Sequence, residues 1–304
     1  MMKRPLKIMT EAAGSLVSAY MFKAIREAGH IPVGSDITPW TSALALADEQ
    51  LVLPPATAPG LWETIEAELA AHQIDMVIPS FDQTLLGWSE RRDHFAGLGV
   101  TVPVSPPQTM GIFLDKWKTY QFFTANGIPT PPTSLEQKFE LLKPRCGSGA
   151  KGIHRSIEPT DMEGYVSQAL AVGEEYTVDC LFDRDGQPIY MVPRLRVMVR
   201  DGKSTQGQTA RLPQVEKYIQ RMAAAAPFAG LVNFQCFVDD KSEVQFIECN
   251  PRLAGGMSLG FAATENWIGP LVENFRHGRP MVPKTVRYGV RMIRYYADLF
   301  VYPD

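Results

Sequence analysis

Net charge is nearly absent from this chain. Thirty Lys and Arg against 33 Asp and Glu leave −3 over 304 residues. So small an imbalance gives neither the basic stripe that nucleic acid requires nor a patch drawn to an anionic membrane. No apolar run approaches the ~20 residues of a spanning helix. The start, Met1-Met2-Lys3-Arg4-Pro5-Leu6-Lys7-Ile8, is basic but passes into a short strand pattern instead of a signal-peptide core. Cysteine is scarce: Cys146, Cys180, Cys236 and Cys249 form no C-x-x-C pair and fit neither a zinc site nor a disulfide framework. Each reads as a small buried hydrophobe, and the chain as a reduced, cytoplasmic protein. There is no internal repeat, and the alanine run at 223–226 is helix filler.

What is present is ordinary globular composition, 45% hydrophobic and 21% charged, enough for two or three lobes each with a core. A strand at Leu6–Thr10, a helix from Gly14 to about Glu27 closed by Gly29, and a strand at Ile31–Asp36 make a β-α-β start, which predicts an open parallel sheet. Further helices are expected at 61–72 and 84–95, with strands at 75–79 and 100–104. Residues 1–110 thus read as a Rossmann-like, doubly wound domain. A helix from Asp115 to Asn126, ended by Gly127 and followed by Pro129, Pro131 and Pro132, marks a boundary. From 139 to 199 the pattern becomes strands, turns and one short helix. A helix near 213–226 follows, then at the end a helix near 270–277 and a strand-like stretch at 286–293.

The densest chemistry lies in Phe246-Ile247-Glu248-Cys249-Asn250-Pro251-Arg252, with Gln235 one strand earlier. Val232–Val238, the turn 239–242 and Glu243–Ile247 read as a β-hairpin. A carboxylate and amides are oxygen donors for a hard cation, and an arginine beside them is a phosphate clamp. Alone, this is as readily a surface hairpin with polar tips. A second strand, Phe139–Arg145, runs into Cys146-Gly147-Ser148-Gly149-Ala150-Lys151-Gly152. The glycines spell G-x-G-x-x-G, but the extended Ile153–Ile157 and Pro159 follow where the dinucleotide fingerprint needs a helix. Strand, glycine loop, strand is a hairpin whose N–H groups can fold over phosphates, and Lys143 would meet the same phosphates. His154 reads as an ordinary strand residue.

In this order the parts resemble the ATP-grasp superfamily, most nearly the ATP-grasp half-modules of carbamoyl-phosphate synthetase large subunits and their stand-alone relatives, with a more distant likeness to biotin carboxylases. The resemblance runs from about 6 to 269 and implies an α/β ATP-grasp fold with three parts. These are a pre-ATP-grasp domain at 1–110, a linker helix and small lid at 111–180, and a C-terminal α+β grasp subdomain with the metal site at 181–304. It places the family's first ATP-binding cation on Lys116, the second on Lys143, and the glycine loop on Arg145 to Gly152, including Gly147, Ser148 and Gly149. The adenine-holding hinge falls on Gln168, Ala169, Leu170, Ala171 and Val172, and the nucleotide-contacting glutamate on Glu175. The metal residues fall on Gln235, Glu248 and Asn250, and the phosphoryl-stabilising arginine on Arg252, which with Lys143 is expected to be catalytic. ATP and two Mg²⁺ ions (or Mn²⁺) are the implied cofactors. Arg194, Arg196, Gly255 and Gly256 are candidates for the acceptor pocket.

Two departures stand out. The spans 133–140 and 157–173 are short, so the lid is expected to be trimmed, and Ala169 stands where many relatives carry a glutamate. No second module, biotin-type domain or ammonia-producing domain is expected. The implied activity is ATP-dependent ligation of a small-molecule carboxylate to an amine or thiol through an acyl phosphate, releasing ADP and phosphate. Rival readings are phosphorylation of bicarbonate or carbamate, and a nucleotide-binding subunit without turnover. Partners are small molecules, without nucleic acid or membrane. The assembly stays open between a monomer and a homodimer.

Overall fold

The computed structural model describes residues 4–147, 149–200 and 202–302, the side chain of residue 203 excepted. The first lobe comprises β1 (Lys7–Thr10), α1 (Ser18–Glu27), β2 (Ile31–Asp36), α2 (Ala43–Leu46), β3 (Glu49–Val52), α3 (Leu61–Ala71), β4 (Met76–Ile78) and α4 (Asp82–Gly97). Its sheet has the order β3-β2-β1-β4, and every pairing is parallel. The expected doubly wound start is therefore present. It differs in detail for physical reasons. The first helix starts at Ser18 rather than Gly14, because Ala12 takes a positive φ of 51° and its carbonyl accepts from the Ser15 N–H and the Ser18 hydroxyl. The strand expected at 100–104 makes only isolated bridges, Thr101 to Met76 and Val104 to Gly230; Pro103 between them has no N–H to give a ladder. The short α2 and β3 were not foreseen.

Two helices follow: α5 (Pro107–Phe113) and α6 (Lys116–Ala125). The first escapes the sequence reading because Pro106-Pro107 looks like a break, yet proline is well placed in a first helical turn. Asp115 caps the second, its side chain accepting from the N–H groups of Trp117 and Lys118.

The lid is a four-stranded antiparallel sheet of order β5-β8-β6-β7, from β5 (Thr133–Ser134), β6 (Leu141–Pro144), β7 (His154–Arg155) and β8 (Tyr165–Gln168). Two of its strands have only two residues, as a trimmed lid implies. The short helix expected in this region is absent among the described residues; Pro159 and the positive φ of Gly164 break the stretch.

The grasp sheet has the order β13-β12-β9-β10-β11-β14 and is antiparallel throughout. Its members are β9 (Glu174–Phe182), β10 (Pro188–Arg200), β11 (Lys203–Thr209), β12 (Gly230–Val238), β13 (Val244–Asn250) and β14 (Arg291–Ile293), with α7 (Pro213–Ala225) covering one face. Because β9 starts at Glu174, the sheet begins before the expected boundary at 180. Helices α8 (Ser258–Ala263) and α9 (Ile268–Leu271) follow, and α9 runs into a π-helical turn at Val272–Arg276 where one continuous helix was expected. No helix among the described residues is long and apolar enough to cross a membrane.

One buried cluster joins the lobes. Ile8, Met21, Ile25 and Ile78 of the first pack with Leu181, Leu231, Met257 and Trp267 of the last. A second core, with Phe123, Phe182, Ile219, Phe228, Phe234 and Phe246, lies between the sheet, α6 and α7. Gly173 joins lid to sheet at φ 109°, and a Cβ there would lie 2.2 Å from the Val238 carbonyl oxygen. Gly173→Ala should therefore cost about 2–4 kcal/mol, combining left-handed strain with a backbone clash. Urea titration checks this.

Candidate active site

Three local decisions in the sequence bring one set of side chains together. The β12–β13 hairpin pairs Gln235 with Glu248 and Asn233 with Asn250, so the amide at 235 and the carboxylate at 248 sit side by side across the ladder. On β6, Lys143 faces inward and is only 8% exposed. The Asp115 cap starts α6 so that Lys116, its first residue, reaches the same space. Glu175 on β9 and Arg196 on β10 close the floor.

These elements bound a cleft of about 320 Å³ between lid and grasp sheet. Lys116, Lys143, Gly147, Gly149, Glu175, Gln235 and Glu248 line it, as the sequence reading expects, together with Ala150, Lys151, Arg196 and Gly202. Four cationic side chains, Lys116, Lys143, Lys151 and Arg196, face two carboxylates, Glu175 and Glu248. The surplus suits a polyanion.

The contacts are specific. Lys143 Nζ donates to Gln168 Oε1 at 2.6 Å, and Gln168 Nε2 donates to Thr133 Oγ1 at 2.9 Å. Lys116 Nζ lies 3.8 Å from Glu248 Oε1 and donates to the Gly147 carbonyl at 3.2 Å. Arg196 bridges Glu175 at 3.0 Å and the Gly202 carbonyl at 2.9 Å. Gly202, at φ 71°, lies against Gly149, where a Cβ would be 3.0 Å from the Gly149 carbonyl carbon. The β10–β11 hairpin and the glycine loop therefore meet over the cleft. Burial lowers the Lys143 ammonium below its usual range and the Lys116 charge lowers it further, against the pull of Glu248 and Glu175. Burial likewise raises Glu175, opposed first by Arg196.

Other expected residues stand apart from the cleft. Arg145 turns its side chain away to Asp115. Gly152 stands beside the lining residues Lys151 and Ile153, and a Cβ on it would press on Pro144. Ser148 lies outside the described residues. Of the hinge, Gln168 is buried and acts through its side chain on Lys143, while Ala169, Leu170, Ala171 and Val172 do not line the cleft, and Leu170 and Val172 are exposed. Arg194 is 2% exposed and bound to Asp179 at 2.7 Å beneath the sheet surface, with Gly256 packed on its guanidinium. Gly255 gives its carbonyl to Arg294. Asn250 lines a small adjoining cavity with Asp82, Lys116 and Glu248, and Arg252 is held by Asp82. No local pattern in the sequence signals Asp82, whereas Asp115, expected as the start of a helix, both caps that helix and holds Arg145.

Among the described residues no group of three or more His, Cys, Asp or Glu could hold a metal alone. One carboxylate, Glu248, with the amides Gln235 and Asn250 instead fits Mg²⁺, which commonly takes one or two carboxylates and completes its shell with substrate phosphates and water.

Residues 165–296 match the family model described as "ATP-grasp in the biosynthetic pathway with Ter operon". That stretch is an ATP-grasp region. Residues 13–103 match the "PylC-like, N-terminal domain". The ATP-grasp fold is shared with the biotin carboxylase domain of Hydrogenobacter thermophilus 2-oxoglutarate carboxylase, solved with MgADP, ADP and bicarbonate, at 16% identity and a TM-score of 0.74 over 95% of this chain and 74% of that one. It is shared with Staphylococcus aureus N5-carboxyaminoimidazole synthetase bound to ADP, at 13% identity and 0.73 over 94% and 81%. It is also shared with the L-amino acid ligase of Bacillus licheniformis, at 15% identity and 0.68 over 90% and 75%. No curated protein matches the chain. What these structures share with the chain is the fold, over 90–95% of its length.

Proposed function

We propose that the protein joins a small-molecule carboxylate to an amine, or a thiol, through an acyl phosphate. The observation that carries this reading is the single cleft in which a glycine loop, two lysines and the Gln235–Glu248 pair converge. Lys143 and Lys116 bind the phosphates of ATP, and the N–H groups of the glycine loop cover them. Glu248, Gln235 and Asn250 hold Mg²⁺, which when bound neutralises charge on the triphosphate. A carboxylate oxygen attacks the γ-phosphorus and ADP leaves. The amine nitrogen then attacks the acyl carbon, phosphate leaves, and the amine gives up a proton. Arg252 steadies the transferred phosphoryl. The chain supplies orientation and charge, with no side-chain nucleophile. A reducing cytoplasm suits the free cysteines.

A panel of carboxylic acids, amino acids included, with amines and thiols and a bicarbonate-only arm tests the reading by ADP release. ADP formed only with carboxylate present supports it. Release stimulated by bicarbonate alone points to bicarbonate phosphorylation. No release with any pair, while ADP still binds, leaves a nucleotide-binding subunit.

The buried Lys143 gives a pH signature. Its ammonium titrates below the usual range in the free protein, and phosphates restore the charged form. Nucleotide binding should therefore take up protons at alkaline pH and weaken as pH rises through the lowered Lys143 pKa. Calorimetry in buffers of different ionisation enthalpy measures the uptake, which Lys143→Met should remove.

A further inference from the structure

Arg252 is held from another lobe. Its side chain is 14% exposed, and Asp82 grips it fork on fork, Nε to Oδ1 at 2.7 Å and Nη2 to Oδ2 at 2.8 Å. Nη1 donates to the Leu253 carbonyl at 2.9 Å, and Nη2 reaches Asn250 Oδ1 at 3.5 Å. A guanidinium has five N–H groups. The remaining one, on Nη1, has no acceptor among the described residues. Asp82 is the first residue of α4 in the N-terminal lobe, and with Lys116, Glu248 and Asn250 it lines the small cavity beside the cleft.

The start of α4 is itself fixed. Glu11, at the end of β1 and 7% exposed, accepts from the N–H groups of Ser80 and Phe81 at 3.1 and 3.4 Å, the Thr84 hydroxyl at 2.7 Å and the Trp88 indole at 2.8 Å. A carboxylate with that many donors is a rigid anchor. A continuous path therefore runs from β1 through Glu11, the start of α4, Asp82 and Arg252 to the metal amide Asn250. The pair is not needed to join the lobes, because the shared core of Ile8, Met21, Ile78, Leu231 and Trp267 already does so.

We propose that Asp82 is a positioning residue for phosphoryl transfer. It fixes the plane of Arg252 so that the uncommitted Nη1 donor meets the phosphoryl group only as it transfers. The inference rests on the proposed function, since it needs Arg252 to act on phosphate. An arginine aimed in this way stabilises the moving phosphoryl and not the nucleotide diphosphate, and the two can be measured apart.

The experiment compares wild type, Asp82→Asn and Asp82→Glu for binding of Mg²⁺–ADP alone and of Mg²⁺–ADP with fluoroaluminate, which mimics the phosphoryl in flight. Asp82→Asn should bind ADP within about twofold of wild type but the mimic about tenfold or more weakly. Asp82→Glu, which can still form the fork, should regain most of that loss. With an acceptor in hand, kcat should fall in Asp82→Asn at an unchanged KM for ATP. Equal affinity of wild type and Asp82→Asn for the mimic would overturn the proposal. So would losses of ADP and mimic affinity in step with a lowered melting temperature, which mark a purely structural pair. Failure of wild type to bind ADP would overturn the proposed function itself and this inference with it.

Discussion

Replacing Glu248 by Gln should leave a folded protein that binds ADP and turns over ATP about 10²–10³-fold more slowly, the range for removing one charge-stabilising group. The swap keeps the shape of a side chain 23% exposed at the sheet surface, so no cavity forms and the melting temperature should hold. What is lost is the only carboxylate of the Gln235–Glu248–Asn250 set, with its attraction for Lys116 at 3.8 Å and for the buried Lys143. The remaining turnover should need more Mg²⁺. ADP release titrated with Mg²⁺, beside thermal melting, tests both statements. Turnover within tenfold of wild type at equal Mg²⁺ would remove Glu248 from the metal site.

The second large effect falls on stability. Arg194→Met should cost about 3–5 kcal/mol, because it leaves Asp179, at 0% exposure, as a buried charge without its partner. Burial already raises the Asp179 carboxyl, opposed by the Arg194 charge and hydrogen bond, so removing the arginine raises it further. The sign follows from linkage. A carboxyl with a raised folded pKa contributes fully below its unfolded value and loses that contribution as pH rises through the folded pKa. The deficit of the variant should therefore be small in acid and grow toward neutral pH. Pairing Arg194→Met with Asp179→Leu should recover most of the loss, since an apolar pair removes the charge burial altogether. Urea titrations of the single and double variants at acid and neutral pH check each step. A loss that is the same at both pH values would show that Arg194 matters by its packing on Gly256 rather than by charge.

These two residues also mark how far the sequence was legible. The place of Glu248 beside Gln235 was readable because the hairpin is local: alternating burial, a turn at 239–242, and an acid and amides at fixed spacing. The same holds for Lys143 before the glycine loop and for the parallel start of the first lobe. Arg194 and Arg196 are both acceptor-pocket candidates in the sequence, and two residues apart on one strand nothing local distinguishes them. Their partners separate them. Asp179 on the neighbouring strand takes Arg194 into the interior, while Glu175 keeps Arg196 at the cleft. The side chain of Gln168, for which the sequence gives no role, is bound to Lys143 and Thr133.

The sequence alone determined the ATP-grasp order of parts, the cation and carboxylate types, the glycine loop and the short lid, because each rests on residues close in the chain. Only the tertiary structure decided which arginines face the cleft, that the β10–β11 hairpin meets the glycine loop, and that Asp82 reaches Arg252. Those outcomes depend on pairings between residues far apart in the chain, Asp82 and Arg252 being 170 positions apart. Local propensity carries no information about which buried charges end up opposite one another; the shared core that packs the lobes together fixes that choice.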